Sequence, residues 1–201
     1  MDSLLFLGGI EDSLFIVDIS NPKQPKQKKM LKEMFKCGGL NNCFDVRKDN
    51  QTAIGYKKSN EIKELNLSKN YKVNKHRSEF DDSYVFKYFI KKKTILIANC
   101  NSIFEHDIDS FRLKRKKKFN KSDPILMDHS KDEEYIFVTT NGNKFFILKY
   151  DKLEIVRIIK VKQRFVTLSF PEKSPFIFGS LDSALSIQYG KPEHFIKGFK
   201  T

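Results

Sequence analysis

The sequence predicts an all-β chain arranged as a β-propeller of about five four-stranded blades, either a closed ring, an incomplete one or an open arc. Three observations carry that expectation. A β-hairpin pattern recurs about every 40 residues. An Asp or Asn stands at the same place in each copy, immediately before the second strand. The residues are 13% aromatic, all of it Phe (19) and Tyr (7) with no Trp, and such residues fill pleated surfaces well.

The first copy, "LLFLGGIEDSLFIVDIS", runs from an apolar stretch through a polar turn ending at Asp12 into a second apolar stretch that closes at Ile19. The same order returns in "TAIGYKKSNEIKELNLSK" (52–69), "TILIANCNSIFEHDIDS" (94–110), "YIFVTTNGNKFFILKYDK" (135–152) and "FIFGSLDSALSIQYGK" (176–191). Each reads as a hairpin from its apolar runs and its turn residues. The register marks are Asp12, Asn60, Asn101, Asn143 and Asp182. Short Asp and Asn side chains bond to nearby backbone and tolerate left-handed conformations, which suits a tight turn.

Between hairpins there is room for two further strands. An inner strand is expected before each later hairpin, within 41–49, 82–92, 123–132 and 164–173. An outer strand is expected after each hairpin, in "KQKKML", "YKVNKHRS", "FRLKRKKKF", "EIVRIIKV" and "EHFIKGFK". The chain then holds four innermost strands for five hairpins, so one sheet lacks its inner strand and leaves backbone groups for a partner or second copy to pair. In "KKMLKEMFKCGG" the apolar residues Met30, Leu31, Met34 and Phe35 leave two readings open, a short helix or a plain outer strand with a long connection. The expected organisation is one domain over 1–201, in units of approximately 1–40, 41–81, 82–122, 123–163 and 164–201.

Bulk properties exclude several classes. The start "MDSLLFLGGIED" has Asp2 where a signal peptide carries basic residues, and no run approaches the ~20 apolar residues of a membrane-spanning helix. Cys37, Cys43 and Cys100 lack C-x-x-C spacing, so neither a disulfide framework nor a zinc site is indicated, and a cytoplasmic or nuclear compartment is the default.

The order of strands and the placement of turns resemble WD-repeat-like propellers, although the Trp-Asp dipeptide is absent. "LFIVDISNPKQP" resembles an LVIVD-type propeller repeat, with the strand, the Asp and the Ser-Asn-Pro-x-x-Pro turn, and only the first copy carries it well. The resemblance implies a binding platform whose partners differ from member to member. A fold by itself assigns no activity.

The chain carries a net charge of +13, with 38 basic residues, most of them in windows around the outer strands. Those windows contain only Glu33, Glu79, Glu154 and Glu193 among the acidic residues. Two explanations stand: lysines keep exposed sheet edges from pairing with other chains, or a basic circumference meets RNA, DNA or an acidic protein surface. The densest point is Arg112, Lys114, Arg115, Lys116, Lys117 and Lys118, the candidate polyanion site. It is also readable as a nuclear import signal, a pattern with many false positives.

Catalytic patterns are weak. Asp128, His129 and Ser130 are adjacent on a strand, where successive side chains face opposite ways and cannot form a relay. His76, His106, His129 and His194 lack metal-ligand spacing, and "TTNGNK" is a hairpin turn and not a phosphate loop. The reading is a non-catalytic scaffold without cofactor or metal. It would dock proteins on loops that include Asn60, Asn101, Asn143 and Asp182, with nucleic-acid binding through the rim as the alternative.

Overall fold

The computed structural model describes residues 4–8, 13–32, 44–47, 52–58, 61–67, 69–77, 83–99, 101–119, 124–160, 165–169, 176–181 and 184–189. Among them the chain is all β. In order the strands are β1 (Leu4–Gly8), β2 (Leu14–Asp18), β3 (Lys26–Leu31), β4 (Phe44–Arg47), β5 (Thr52–Lys58), β6 (Glu61–Asn66), β7 (Lys72–Arg77), β8 (Ser83–Phe89) and β9 (Thr94–Asn99). They continue as β10 (Ser102–Asp107), β11 (Leu113–Lys118), β12 (Pro124–His129), β13 (Tyr135–Thr140), β14 (Lys144–Lys149), β15 (Glu154–Lys160), β16 (Phe165–Ser169), β17 (Phe176–Leu181) and β18 (Ala184–Tyr189).

These strands form five sheets, each a meander of consecutive strands: β1 to β3, β4 to β7, β8 to β11, β12 to β15 and β16 to β18. The four expected inner strands are β4, β8, β12 and β16. The first sheet has three strands because β1 already belongs to the first hairpin. The fifth also shows three, and the outer strand expected at "EHFIKGFK" lies outside the described residues. "KQKKML" is the plain outer strand β3, while Met34 and Phe35 lie outside the described residues.

The chain groups into two compact units, one of Met1–Gly39 with Cys43–Ser83 and one of Leu40–Asn42 with Tyr84–Thr201. In the first, Leu14, Ile16 and Leu65 form a core joined by Phe6, Phe44, Val46 and Tyr71, so apolar residues of the first sheet pack on those of the second. In the second, Phe89, Leu96, Ile103, Met127, Val138 and Phe146 belong to one core built from the third and fourth sheets. Phe119 meets Phe146 edge-on at 5.2 Å, a geometry the opposed ring quadrupoles favour. Each such buried Ile, Leu or Phe contributes roughly 1.5–3 kcal/mol.

Middle strands β9 and β10 are buried at nearly every position, whereas the outer strands β7 and β11 are mostly exposed. A middle strand has neighbours on both edges and packing on its faces, so β9 reads as a nearly continuous apolar run, and β10 buries Ser102, Glu105 and His106 among its apolar residues. The exposed Lys-rich runs therefore fall on outer strands, as the charge pattern led one to expect.

Turns before the outer strands hold non-glycine residues in the left-handed region: Tyr71 (φ 60°), Phe111 (φ 60°) and Leu153 (φ 47°). Lys93 (φ 51°) and Glu133 (φ 61°) do the same between inner strands and hairpins. Such residues cost about 1–2 kcal/mol each against glycine-like freedom. The surrounding packing offsets that cost: Leu153 is buried in the second unit's core, and Glu133 Oε2 accepts from the backbone N–H of Lys92 at 3.1 Å.

Candidate functional site

The basic cluster lies where its residue types put it. β11 pairs antiparallel with β10, placing Ser102 opposite Lys118, Ile103 opposite Lys117, Phe104 opposite Lys116 and Glu105 opposite Arg115. A bulge then leaves Lys114 between the Glu105–Arg115 and His106–Leu113 pairs. Alternation along β11 divides the cations between two faces.

Arg115 turns inward. Its Nε donates to Glu105 Oε2, its Nη1 donates to the carbonyl of Asp151, and its Nη2 donates to the carbonyl of Tyr150 at 2.8 Å. The guanidinium also covers the Tyr150 ring, 5.1 Å from its centroid. Arg115 is thus a strut between the third and fourth sheets, using the fork of donors that lysine lacks.

The bulged Lys114 reaches back to Asp107 Oδ2 at 3.1 Å. Asp107 closes β10 and holds the following turn: its Oδ1 accepts from the N–H of Asp109 and from both the N–H and the hydroxyl of Ser110. Led by the Ser110 N–H, these donors keep the Asp107 carboxyl far below the ordinary range. Asp18 repeats the device on the first sheet, accepting from the Ser20 N–H at 2.9 Å and pairing with Lys28 at 3.1 Å. Its carboxyl is held at about 2 by bonds from Ser20 and Lys28, with the Ser20 hydroxyl first. Lys28 occupies a bulge in β3 between Gln27 and Lys29, just as Lys114 does in β11. Asp18 is therefore a turn cap with a lysine partner.

Lys116 and Lys118 lie on the opposite face from Arg115, whereas Lys117 shares the face of Arg115. Lys116 and Lys118 are exposed, as is Arg112 ahead of the strand, and Lys117 is half-buried. Lys116 Nζ stands 4.8 Å from the centroid of the Phe104 ring on the neighbouring strand. That contact steadies the stem while leaving the ammonium at the surface. Arg112, Leu113 and Lys114 also line an open groove with Asp107 and Ser110.

Of the expected docking loops, Asn101 lies between β9 and β10, and Asn143 directly before β14. Asn143 has φ 53°, the conformation its register position called for. Asn101 accepts at Oδ1 from the Ser102 hydroxyl at 2.8 Å, and its carbonyl accepts from the Phe119 N–H, which ties the hairpin turn to the end of the outer strand. Asp12, Asn60 and Asp182 lie outside the described residues.

Asp128, His129 and Ser130 engage different partners. Asp128 pairs with Lys87 Nζ at 3.0 Å, His129 Nδ1 lies 2.8 Å from the Ser130 carbonyl, and the Ser130 hydroxyl donates to Asp132. His106 is buried with Nδ1 at 3.0 Å from the Phe111 carbonyl, in keeping with packing inside the sheet. Among the described residues no group of three or more His, Cys, Asp or Glu could hold a metal ion, and no helix is long and apolar enough to cross a membrane.

The sequence reading missed Glu105, which is buried and joins Arg115 to the Tyr150 hydroxyl. Its signal was an acid inside the apolar strand "SIFEHD", directly opposite Arg115 once the hairpin register is drawn.

No protein-family model matches the sequence, and no curated protein matches it. Among solved structures, the β-propeller domain of Myceliophteria thermophila Cps50 (Swd1) superposes with a TM-score of 0.71 over 93% of this chain. The sequences are 10% identical, so the likeness concerns fold alone. The chain has a β-propeller fold. It spans 66% of the length of that chain.

Proposed function

We propose that the chain is a non-catalytic propeller scaffold that docks other macromolecules through the exposed edges and loops of its sheets. One observation carries this reading: middle strands such as β9 and β10 are committed to packing, while the charged side chains collect on outer strands where they meet solvent. Chemistry presented on a rigid frame's margin is suited to recognition. Asn101 and Asn143, with Asn60 and Asp182 at equivalent sequence positions, are the candidate docking loops of this reading. Capture of the tagged chain from cells, followed by quantitative mass spectrometry, tests it. Substituting the exposed outer-strand residues Lys116 and Lys118 should release specific partners while the melting temperature stays unchanged. If no protein or nucleic acid is enriched over a mock bait, the scaffold reading is wrong.

A second reading, nucleic-acid binding, is favoured specifically by the exposed row of Arg112, Lys116 and Lys118 on and beside β11. Phosphate neutralisation by lysines makes binding fall steeply with salt. Failure of the chain to retain labelled single-stranded RNA or duplex DNA even at low ionic strength would remove this second reading and leave the first.

A further inference from the structure

The four described outer strands are not equally protected. β3, β7 and β11 read KQKKML, KVNKHR and LKRKKK, whereas β15 reads EIVRIIK. An outer strand offers a row of backbone N–H and C=O groups, and lysines are the usual means of keeping other strands away from it. On β15 that guard is thin. Val156 is 42% exposed and Ile158 53% exposed, two β-branched side chains turned outward on one edge strand. β15 also ends its sheet, with β14 on its other side.

We infer that β15 is a strand-addition site for an extended, acidic and β-branched segment of a protein partner. The inference rests on the scaffold reading and names one of its docking edges. Val156 sits in a bulge, because Leu148 faces Ile155 and Ile147 faces Arg157, so the regular ladder available to a guest runs from Arg157 to Lys160. Backbone bonds to that stretch would supply affinity, and contact with Ile158 would supply apolar burial. Charge selects the guest. Glu154 already stands opposite Lys149, while Lys160 stands opposite Lys144. Lys160 is exposed, and an acidic side chain arriving beside it on a new neighbouring strand gains an opposite-charge cross-strand contact. Exposed Lys152 adds a further cation before the strand. A second copy of the chain is a poor guest, since each copy brings a net charge of +13.

Panning a displayed library of random ten-residue peptides against the full chain tests this. Enriched peptides should alternate acidic with β-branched residues and protect the amides of residues 157–160 from hydrogen exchange. They should bind at least tenfold more weakly to Ile158→Lys and to Lys160→Glu. Both changes are on the surface, and Leu113→Lys, at an exposed position of β11, is the control that should leave binding unchanged. Enriched binders that protect β11 or the hairpin loops, or that bind Ile158→Lys equally well, overturn the inference while leaving a docking scaffold standing. A pool with no enriched binder overturns the inference, and the capture experiment then decides the scaffold reading separately. Self-association of the chain abolished by Ile158→Lys would show the edge to be filled by a second copy and would also overturn it.

Discussion

The Tyr150 hydroxyl donates a 2.6 Å hydrogen bond to Oε1 of Glu105, joining the end of the fourth sheet's β14 to the middle of the third sheet's β10. With its proton committed there, the phenolic oxygen accepts from Thr94 Oγ1 at 2.7 Å. Burial first, and the Glu105 carboxylate after it, push the phenol well above its ordinary range. Lys92 and Arg115 flank the same ring at 5.4 and 5.1 Å, so a buried carboxylate, a neutral phenol and a guanidinium satisfy one another between two sheets.

Removing Glu105 leaves Arg115 and Tyr150 without their shared acceptor in a mostly buried place. Glu105→Ala should lower unfolding free energy by about 3 kcal/mol, and Tyr150→Phe by about 1 kcal/mol, because Arg115 still neutralises the carboxylate. Urea denaturation followed by circular dichroism measures both, and equal losses in the two variants would contradict the assigned roles.

Replacing Arg115 should separate structure from surface charge. Arg115→Gln should destabilise the chain measurably, whereas Lys116→Gln and Lys118→Gln should change stability by no more than about 0.5 kcal/mol. If nucleic acid binds this strand, each of those two lysine substitutions should reduce the salt slope by about 1. Parallel melting curves and salt titrations decide the division.

Asp107 supplies a pH signature. Its folded-state pKa lies below the unfolded value of about 3.9, so its contribution to stability is fully present above that value and is lost as pH falls toward the folded value. Asp107→Asn should therefore melt below the wild type near neutral pH, with the gap closing as the solution is acidified below about pH 4. A gap independent of pH would show that the turn is held by something other than the ionised carboxylate.

Lys93 is exposed and left-handed, φ 51°. Lys93→Gly removes the Cβ penalty, partly offset by the greater freedom of glycine in the unfolded chain, and should stabilise by about 0.5 kcal/mol. A loss of stability on chemical denaturation would mean that the lysine stem contributes more than its backbone costs.

Much of this architecture was legible because its signals are local. Apolar runs, Asp and Asn turns and the spacing of hairpins placed β4, β8, β12 and β16 as inner strands and β3, β7, β11 and β15 as outer ones, all within a few residues. Each signal depends on neighbours in the chain: side-chain alternation sets which face is apolar, and short polar side chains bond to backbone nearby.

What the run Arg112 to Lys118 does with its charges was not legible in the same way. The sequence determined that a dense basic strand would lie at the edge of a sheet. Only the tertiary structure decided that Arg115, beyond its cross-strand partner Glu105, reaches the carbonyl of Tyr150, 35 residues later, while Lys116 and Lys118 face solvent. The physical reason is that charge, periodicity and the Glu105–Arg115 pairing are properties of one hairpin, but the Tyr150 ring and the Tyr150 and Asp151 carbonyls that enclose one cation and spare the next come from another sheet, whose approach no local pattern records.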